Sequence, residues 1–316
     1  MSVSLAHVLA AAGRIAPHIR RTPLIRAEGL SRLTNRDVWL KLEILQQTRS
    51  FKRRGACNAL LTLVEQGGTP AVVTASAGNH GAAMASVARE LGIALTIYVP
   101  ASAPRSKIER LHGPGITIVA DCADYDEAER RAIAVARTGA AVYVSPYNHP
   151  DVIAGAGTIA LEVLDDLPSA GTLVVPTGGG GLLAGVAVAV AGRVAVLGVE
   201  PMVNPAFTGA LAHGQVTTIA PGPSLADGLL GNLEAGTLTF DLVRTLGVPV
   251  RTVAEAHVVE GVRALFSCER LVSEGAGAIA VAALLGGQLD DVPDPLVLLL
   301  TGANIDTATF VDVVRQ

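Results

Sequence analysis

Only three lysines occur in this chain of 316 residues, and one of them stands where an amine could do chemistry. Lys52 follows Ser50 and Phe51 and precedes Arg53. Arginine stays protonated in a protein, whereas a desolvated lysine can become the neutral amine that attacks a carbonyl. A solvated lysine at a helix start fits the same position, and on this residue alone that reading prevails. A second candidate is the run Gly178, Gly179, Gly180 and Gly181, which follows an apolar stretch and opens another. Glycines at a strand–helix junction let the backbone approach an anion, and the helix dipole favours it there. Tight strand–helix packing and a dinucleotide fold are the competing readings. A third is Ser76, Ala77, Gly78, Asn79 and His80, a small polar loop between a strand and a helix, suited to a carboxylate or phosphate. Asparagine is also a common turn residue, and His80 reads as a helix-start histidine without a catalytic role.

These three segments need elements to carry them. Val38 to Leu42 reads as a strand leading to the lysine turn, with a helix from Gly55 to Glu65. The stretches 71–74, 93–99, 116–119 and 142–145 read as short strands alternating with helices at 82–91, 106–111 and 126–137, a parallel-sheet lobe. A second series follows the crossing at Pro146–Pro150, with helices at 153–164 and 182–190 and strands at 172–175, 194–199 and 296–300. A Gly- and Pro-rich linker covers about 220–236. Thr252 and Glu255 have capping-box spacing and are expected to start a helix running to Ser267, and another helix covers 276–285.

Composition excludes several classes. Half the residues are apolar, glycine is abundant and aromatics are scarce, which argues for packed α/β layers and against disorder. A formal charge of −4 offers no footprint for nucleic acid. Cys57, Cys122 and Cys268 are odd in number and show no C-x-x-C, so reduced thiols in a cytoplasmic protein are expected. The start lacks a basic region ahead of its apolar residues, so no signal peptide is expected. The uncharged stretch from Ala170 to Gly192 contains Pro176 and the four glycines, which favours a buried strand–loop–helix over a membrane span. No G-x-G-x-x-G with a later acid and no G-x-x-x-x-G-K-[ST] is present.

The wider spelling around the lysine, Lys41-x-Glu43 followed by Gln47, Thr48, Ser50, Phe51, Lys52, Arg54, Gly55 and Ala56, resembles the fold-type II pyridoxal-phosphate enzymes, and most of all the serine/threonine dehydratases and serine racemases. Further matches in family order are the Ser76–His80 loop, Gly155-x-Gly157-Thr158, the tetraglycine, Asp227-Gly228, Ser273-Glu274 and Thr301, spanning about residues 20–306. The resemblance implies a tryptophan synthase β-like fold of two doubly wound α/β domains, the smaller inserted in the larger. Residues 1–52 and 149–316 would form the large domain and 53–148 a small mobile one, with no room for an added regulatory domain. It implies pyridoxal 5'-phosphate held covalently by Lys52, its phosphate on Gly178–Gly181, its phenolic oxygen bonded by Asn79, its ring between Phe51 and Gly228, and its pyridine nitrogen on Thr301. The substrate carboxylate would lie on Ser76, Ala77, Gly78, Asn79 and His80, and Lys52 would be the catalytic base.

The implied reaction is ammonia release from L-threonine, L-serine or a related β-hydroxy-α-amino acid, by a homodimer with no membrane or nucleic-acid partner. Racemases of the family carry a serine at the position of Ala77, and alanine moves no proton, so elimination is favoured. A hydroxyl at Thr301 stabilises a protonated ring less than a carboxylate would, which points the same way. Racemization, β-replacement and a non-catalytic nucleotide-binding module remain as alternatives. Arg49 and Ala303 replace customary glycines, Gly275 a customary proline, and Asn148-His149 customary acids. Glu200-Pro201 matches the start of a family metal site, yet Ala206 stands where its second acid belongs, so no metal is expected. Arg49 reads first as a solvated loop residue; the competing reading, in which it reaches a distal carboxylate, would favour 3-hydroxyaspartate.

Overall fold

The protein is described by a computed structural model covering residues 3–68, 70–234 and 236–315. The outermost residues of the expected large domain and Ala235 of the expected linker lie outside the described residues. Ten strands are present among them: β1 (Leu24–Arg26), β2 (Val38–Leu42), β3 (Val72–Ala75), β4 (Leu95–Pro100), β5 (Ile116–Cys122), β6 (Val142–Tyr143), β7 (Thr172–Pro176), β8 (Ala195–Pro201), β9 (Val250–Val253) and β10 (Leu296–Leu300). They form two sheets, one of six strands in the order β1-β2-β10-β7-β8-β9 and one of four in the order β5-β4-β3-β6. Only β1 runs antiparallel to its neighbour. The four-stranded sheet is built wholly from 72–143.

Parallel strands covered on both faces read as continuous apolar runs, and β7 and β10, side by side in the larger sheet, have every residue buried. In register, Leu296 to Leu300 pair with Val38 to Leu42, so the end of β10 lies beside the end of β2. That alignment brings Thr301 to the lysine turn, where Phe51 N–H donates to the Thr301 carbonyl at 3.0 Å. The uncharged stretch from Ala170 is β7, the glycine turn and helix Gly181–Val190, and no helix among the described residues is long and apolar enough to cross a membrane.

Helix Lys52–Glu65 starts three residues before the expected Gly55. Its first turn contains Arg53 and Arg54, and both are buried. The helix lies close against helix Pro150–Asp166. A Cβ at Gly55 would meet the Val152 carbonyl at 2.8 Å, and one at Gly155 the Arg54 carbonyl at 2.5 Å. Such approach needs glycine on both sides.

Arg54 is then fixed by charge. It donates to Glu43 (Nε–Oε2 2.9 Å, Nη2–Oε1 2.8 Å) and to Glu162 (Nη1–Oε1 2.7 Å, Nη2–Oε2 2.9 Å). Lys41 Nζ also donates to Glu162, at 2.6 Å, and to the Thr22 carbonyl. Burial pushes Glu162 up, but the hydrogen bonds and charge of Arg54 outweigh it and hold the carboxyl below its usual range. Lys41 and Arg54 thus balance Glu43 and Glu162 directly beneath the turn carrying Lys52.

Two expectations are corrected. Thr252 belongs to β9 and caps nothing; the N-cap of helix Glu255–Glu269 is Ala254, without a side-chain bond. Glu255 instead accepts from Ser224 Oγ and Leu225 N–H, both at 2.6 Å, and ties down the Gly/Pro-rich segment. The other is helix Asn79–Leu91, which begins at Asn79 rather than Ala82, so Asn79 and His80 sit in its first turn.

Candidate active site

A cavity of about 300 Å³ lies between the two sheets. Of the residues singled out in the sequence, Phe51, Lys52, Ser76, Ala77, Gly78, Asn79, His80, Gly179, Gly228 and Thr301 line it. Gly178, Gly180 and Gly181 do not; they form the turn behind Gly179. Gly180 has φ +81°, and helix Gly181–Val190 starts from it. A side chain at Gly180 would collide with Phe207, and a Cβ at Gly178 or Gly181 would press on Leu229 or Tyr147 at 3.1 and 3.0 Å.

Lys52 Nζ donates to the Pro146 carbonyl at 2.8 Å and lies 5.1 Å from the centre of the Phe51 ring. No carboxylate pairs with it among the described residues. Desolvation alone lowers its pKa to about 8, so a useful fraction is the neutral amine near neutrality.

The Ser76–His80 loop follows β3. Ser76 Oγ accepts the Gly78 N–H at 3.2 Å. His80 is buried, bonded through Nε2 to Thr74 Oγ1 at 3.1 Å, with Nδ1 unpartnered. Burial, and then the charge of Lys52, push it down to about 3. The imidazole is therefore a neutral packing group.

Asn79 is engaged on both ends. Its Nδ2 donates to Glu274 Oε1 at 2.6 Å, and its Oδ1 accepts from Asn304 Nδ2 at 2.7 Å. Asn304 N–H donates to Glu274 Oε2 at 3.0 Å. Glu274 lines the cavity with no cation paired to it among the described residues. Burial raises its carboxyl to about 7, the Asn79 hydrogen bond opposing and the Asp227 charge adding to the effect. Sequence reasoning quoted Glu274 as part of a motif without giving it a place in the site. It also missed Tyr147, which packs over Gly179 and whose hydroxyl accepts the Glu234 N–H at 3.0 Å. Lys107 was noted only as one of the three lysines, yet it crosses the cavity to Asp227 Oδ2 at 2.7 Å. Thr301 Oγ1 points to the carbonyl of Ala276, on helix Gly275–Leu285, at 3.5 Å, a weak bond across elements.

Arg49 does not line this cavity. It lines a different groove of about 320 Å³, with Leu45, Arg270 and Ala303, and faces away from the Lys52 cavity. The glycine it replaces has a physical reason: φ at Arg49 is +57°. Glu200 accepts from the Phe207 and Thr208 N–H groups at 2.9 and 2.7 Å, capping helix Ala206–His213, so both its oxygens serve a helix end.

The residues present fit a phosphorylated aldehyde. An amine with no ion-pair partner among the described residues and Gly179, from the turn at a helix N-terminus, open on one cavity, and Phe51 and Gly228 both line it. Comparison with known proteins agrees. Residues 15–302 match the pyridoxal-phosphate dependent enzyme family. The L-threonine ammonia-lyase of Thermotoga maritima is 39% identical over 291 residues, covering 91% of this chain and 72% of that protein. Among solved structures, maize serine racemase superposes with a TM-score of 0.90 at 31% identity, covering 99% of this chain and 97% of its own. A T.th. threonine deaminase superposes at 0.88 with 35% identity, covering 96% of this chain and 99% of its own.

Proposed function

The chain belongs to the family of pyridoxal-phosphate dependent enzymes, and we propose that it is an ammonia-lyase converting L-threonine, L-serine or a related β-hydroxy-α-amino acid to a 2-oxo acid and ammonia. Its cofactor is pyridoxal 5'-phosphate, which when bound supplies an electron-withdrawing ring beside the substrate α-carbon. The rest is the work of this chain's residues. Lys52 would hold the cofactor and, once displaced by the substrate amine, take the α-proton at Nζ. Its depressed basicity and its position on the Pro146 carbonyl support that role and carry the proposal. The Ser76–His80 loop would bind the α-carboxylate through its N–H groups, and the Gly178–Gly181 turn the cofactor phosphate. Asn79, steered by Glu274 and Asn304, would face the phenolic oxygen, with Phe51 and Gly228 on the two ring faces and Thr301 at the ring nitrogen.

Ala77 favours elimination over racemization, since its methyl holds no proton for the opposite face. The β-hydroxyl departs as water, and the released enamine tautomerises, takes up one water and loses ammonia. Segment 53–148, whose strands make the four-stranded sheet, would close on the remainder and exclude water. A cytoplasmic homodimer is the assembly we propose.

The test is an assay of 2-oxo acid release from a panel of β-hydroxy amino acids, read with the visible absorbance of the purified protein. Borohydride should bleach that band, and Lys52→Ala should lack it and lose activity by about 10³-fold or more. Release of D-serine without 2-oxo acid would overturn the reading.

A further inference from the structure

Residues 144–149 join β6 to helix Pro150–Asp166 without entering a strand or a helix. Irregular main chain of this kind depends on side chains for its hydrogen bonds. The strip nevertheless touches both halves of the site. The Pro146 carbonyl accepts from Lys52 Nζ at 2.8 Å, and the Tyr147 ring stands 2.3 Å from where a Cβ on Gly179 would lie. A main-chain acceptor is lost only if the strip that carries it shifts.

Glu234, in the Gly- and Pro-rich segment, supplies the anchors. Its Oε1 accepts the Ser145 hydroxyl at 3.2 Å and its Oε2 the Asn148 Nδ2 at 2.6 Å, while its own N–H donates to the Tyr147 hydroxyl at 3.0 Å. Pro146 is therefore flanked on both sides by residues that one carboxylate grips. Ser145 is buried, and its Oγ also accepts the Asn148 N–H at 3.0 Å. Asn148 Oδ1 takes the Leu238 N–H at 2.9 Å, which leaves the amide nitrogen to face Glu234. An acid at position 148, customary in the family, would set a second carboxylate against Oε2. Asparagine at 148 and glutamate at 234 make a matched pair.

We propose that Glu234 is a positioning residue, which holds strip 145–148 so that the Pro146 carbonyl keeps the Lys52 amine in register with the glycine turn. The idea rests on the roles given above to Lys52 and Gly178–Gly181, and adds a residue that acts through them. The competing reading makes Glu234 an anchor of its own segment and nothing more.

Three variants separate the two. Glu234→Ala removes the grip, and Asn148→Asp sets carboxylate against carboxylate. The double variant Asn148→Asp/Glu234→Gln reverses the pair, with an amide donating from 234 to a carboxylate at 148. The holoenzymes are assayed on whichever β-hydroxy amino acid releases most 2-oxo acid. Each single variant should lower kcat about tenfold or more with KM within about threefold, and the reversed pair should return to within about threefold of the wild type. NMR of the methylated Lys52 amine in cofactor-free protein gives a readout independent of turnover. In Glu234→Ala its midpoint should rise from about 8 toward 10.5, because water reaches a displaced amine. Loss of an anion by itself would move it down, so the direction decides. A midpoint that stays or falls, a loss confined to KM, or a reversed pair no more active than Asn148→Asp would overturn the proposal. Should Glu234→Ala not fold, Glu234→Gln, which gives up one of the two acceptors, takes its place in both arms. If no amino acid releases a 2-oxo acid, the lyase reading falls, and the cofactor-free titration still decides the role of Glu234.

Discussion

Two groups of buried carboxyls flank the segment that carries Lys52, and the fold treats them in opposite ways. Beneath the turn, Glu43 and Glu162 face Arg54 and Lys41, two anions against two cations with direct hydrogen bonds between them. On the cavity side, Glu274 meets two asparagines and no partner charge. Glu43 is fully buried and Glu162 and Glu274 are half-buried, yet only the first set is neutralised. Matched charges there anchor a helix end. An unmatched carboxyl stays poised to gain or lose a proton, and it does so where it touches Asn79.

Cutting the matched set should have the largest effect. Arg54→Met leaves Glu43 and Glu162 with one cation between them, and the loss expected for an orphaned buried charge is about 3–5 kcal/mol, measured as a shift of the denaturant midpoint. A loss below about 1 kcal/mol would erase the distinction drawn here. Next comes the unmatched set. Glu274 sits at about 7 in the fold against an ordinary 4.5, so across that interval the native state holds the extra proton and its stability falls as pH rises. Glu274→Gln should remove that decline, seen in melting temperatures taken between the two values. Glu162 has the opposite sign: its depressed carboxyl contributes above the ordinary range and loses that contribution as pH falls.

Lys52 offers a finer probe. With its amine at about 8 rather than 10.5, the unfolded chain holds more protons between those values, so the cofactor-free protein should gain stability with rising pH there. Lys52→Ala should not show the gain, and NMR of the reductively methylated amine should place the midpoint directly. The smallest effect concerns Arg49→Gly, which relieves a left-handed backbone at φ +57°. A gain of up to about 1 kcal/mol is expected, with serine turnover unchanged within about twofold.

Much of this was legible in the sequence because it depends on local spelling. The four strands of the smaller sheet, the apolar run of β10 and the glycine turn announce themselves through period and residue type. What stayed hidden depends on distant partners. Helix Ala206–His213 is capped by Glu200, six residues upstream and in another element, so no cap signal marks its start. Helix Glu28–Thr34 buries only Leu30 and Ser31, too little for a visible stripe. Nothing in the local spelling marks Arg54 as buried, because one of its partners, Glu162, lies more than a hundred positions away. Arg49 stands out in the sequence as a lost glycine, but which groove its side chain enters is settled only by the fold, because the sequence does not say which side of the turn a side chain leaves from.

The amine at position 52 rests on the carbonyl of Pro146, a main-chain oxygen. No single exchange of side chains deletes such an acceptor, so the resting place is protected against most substitutions nearby. A carbonyl also receives a hydrogen bond from an ammonium ion and from a free base alike. The nitrogen can therefore change its ionisation without giving up its location, and it waits in register whichever form it is in.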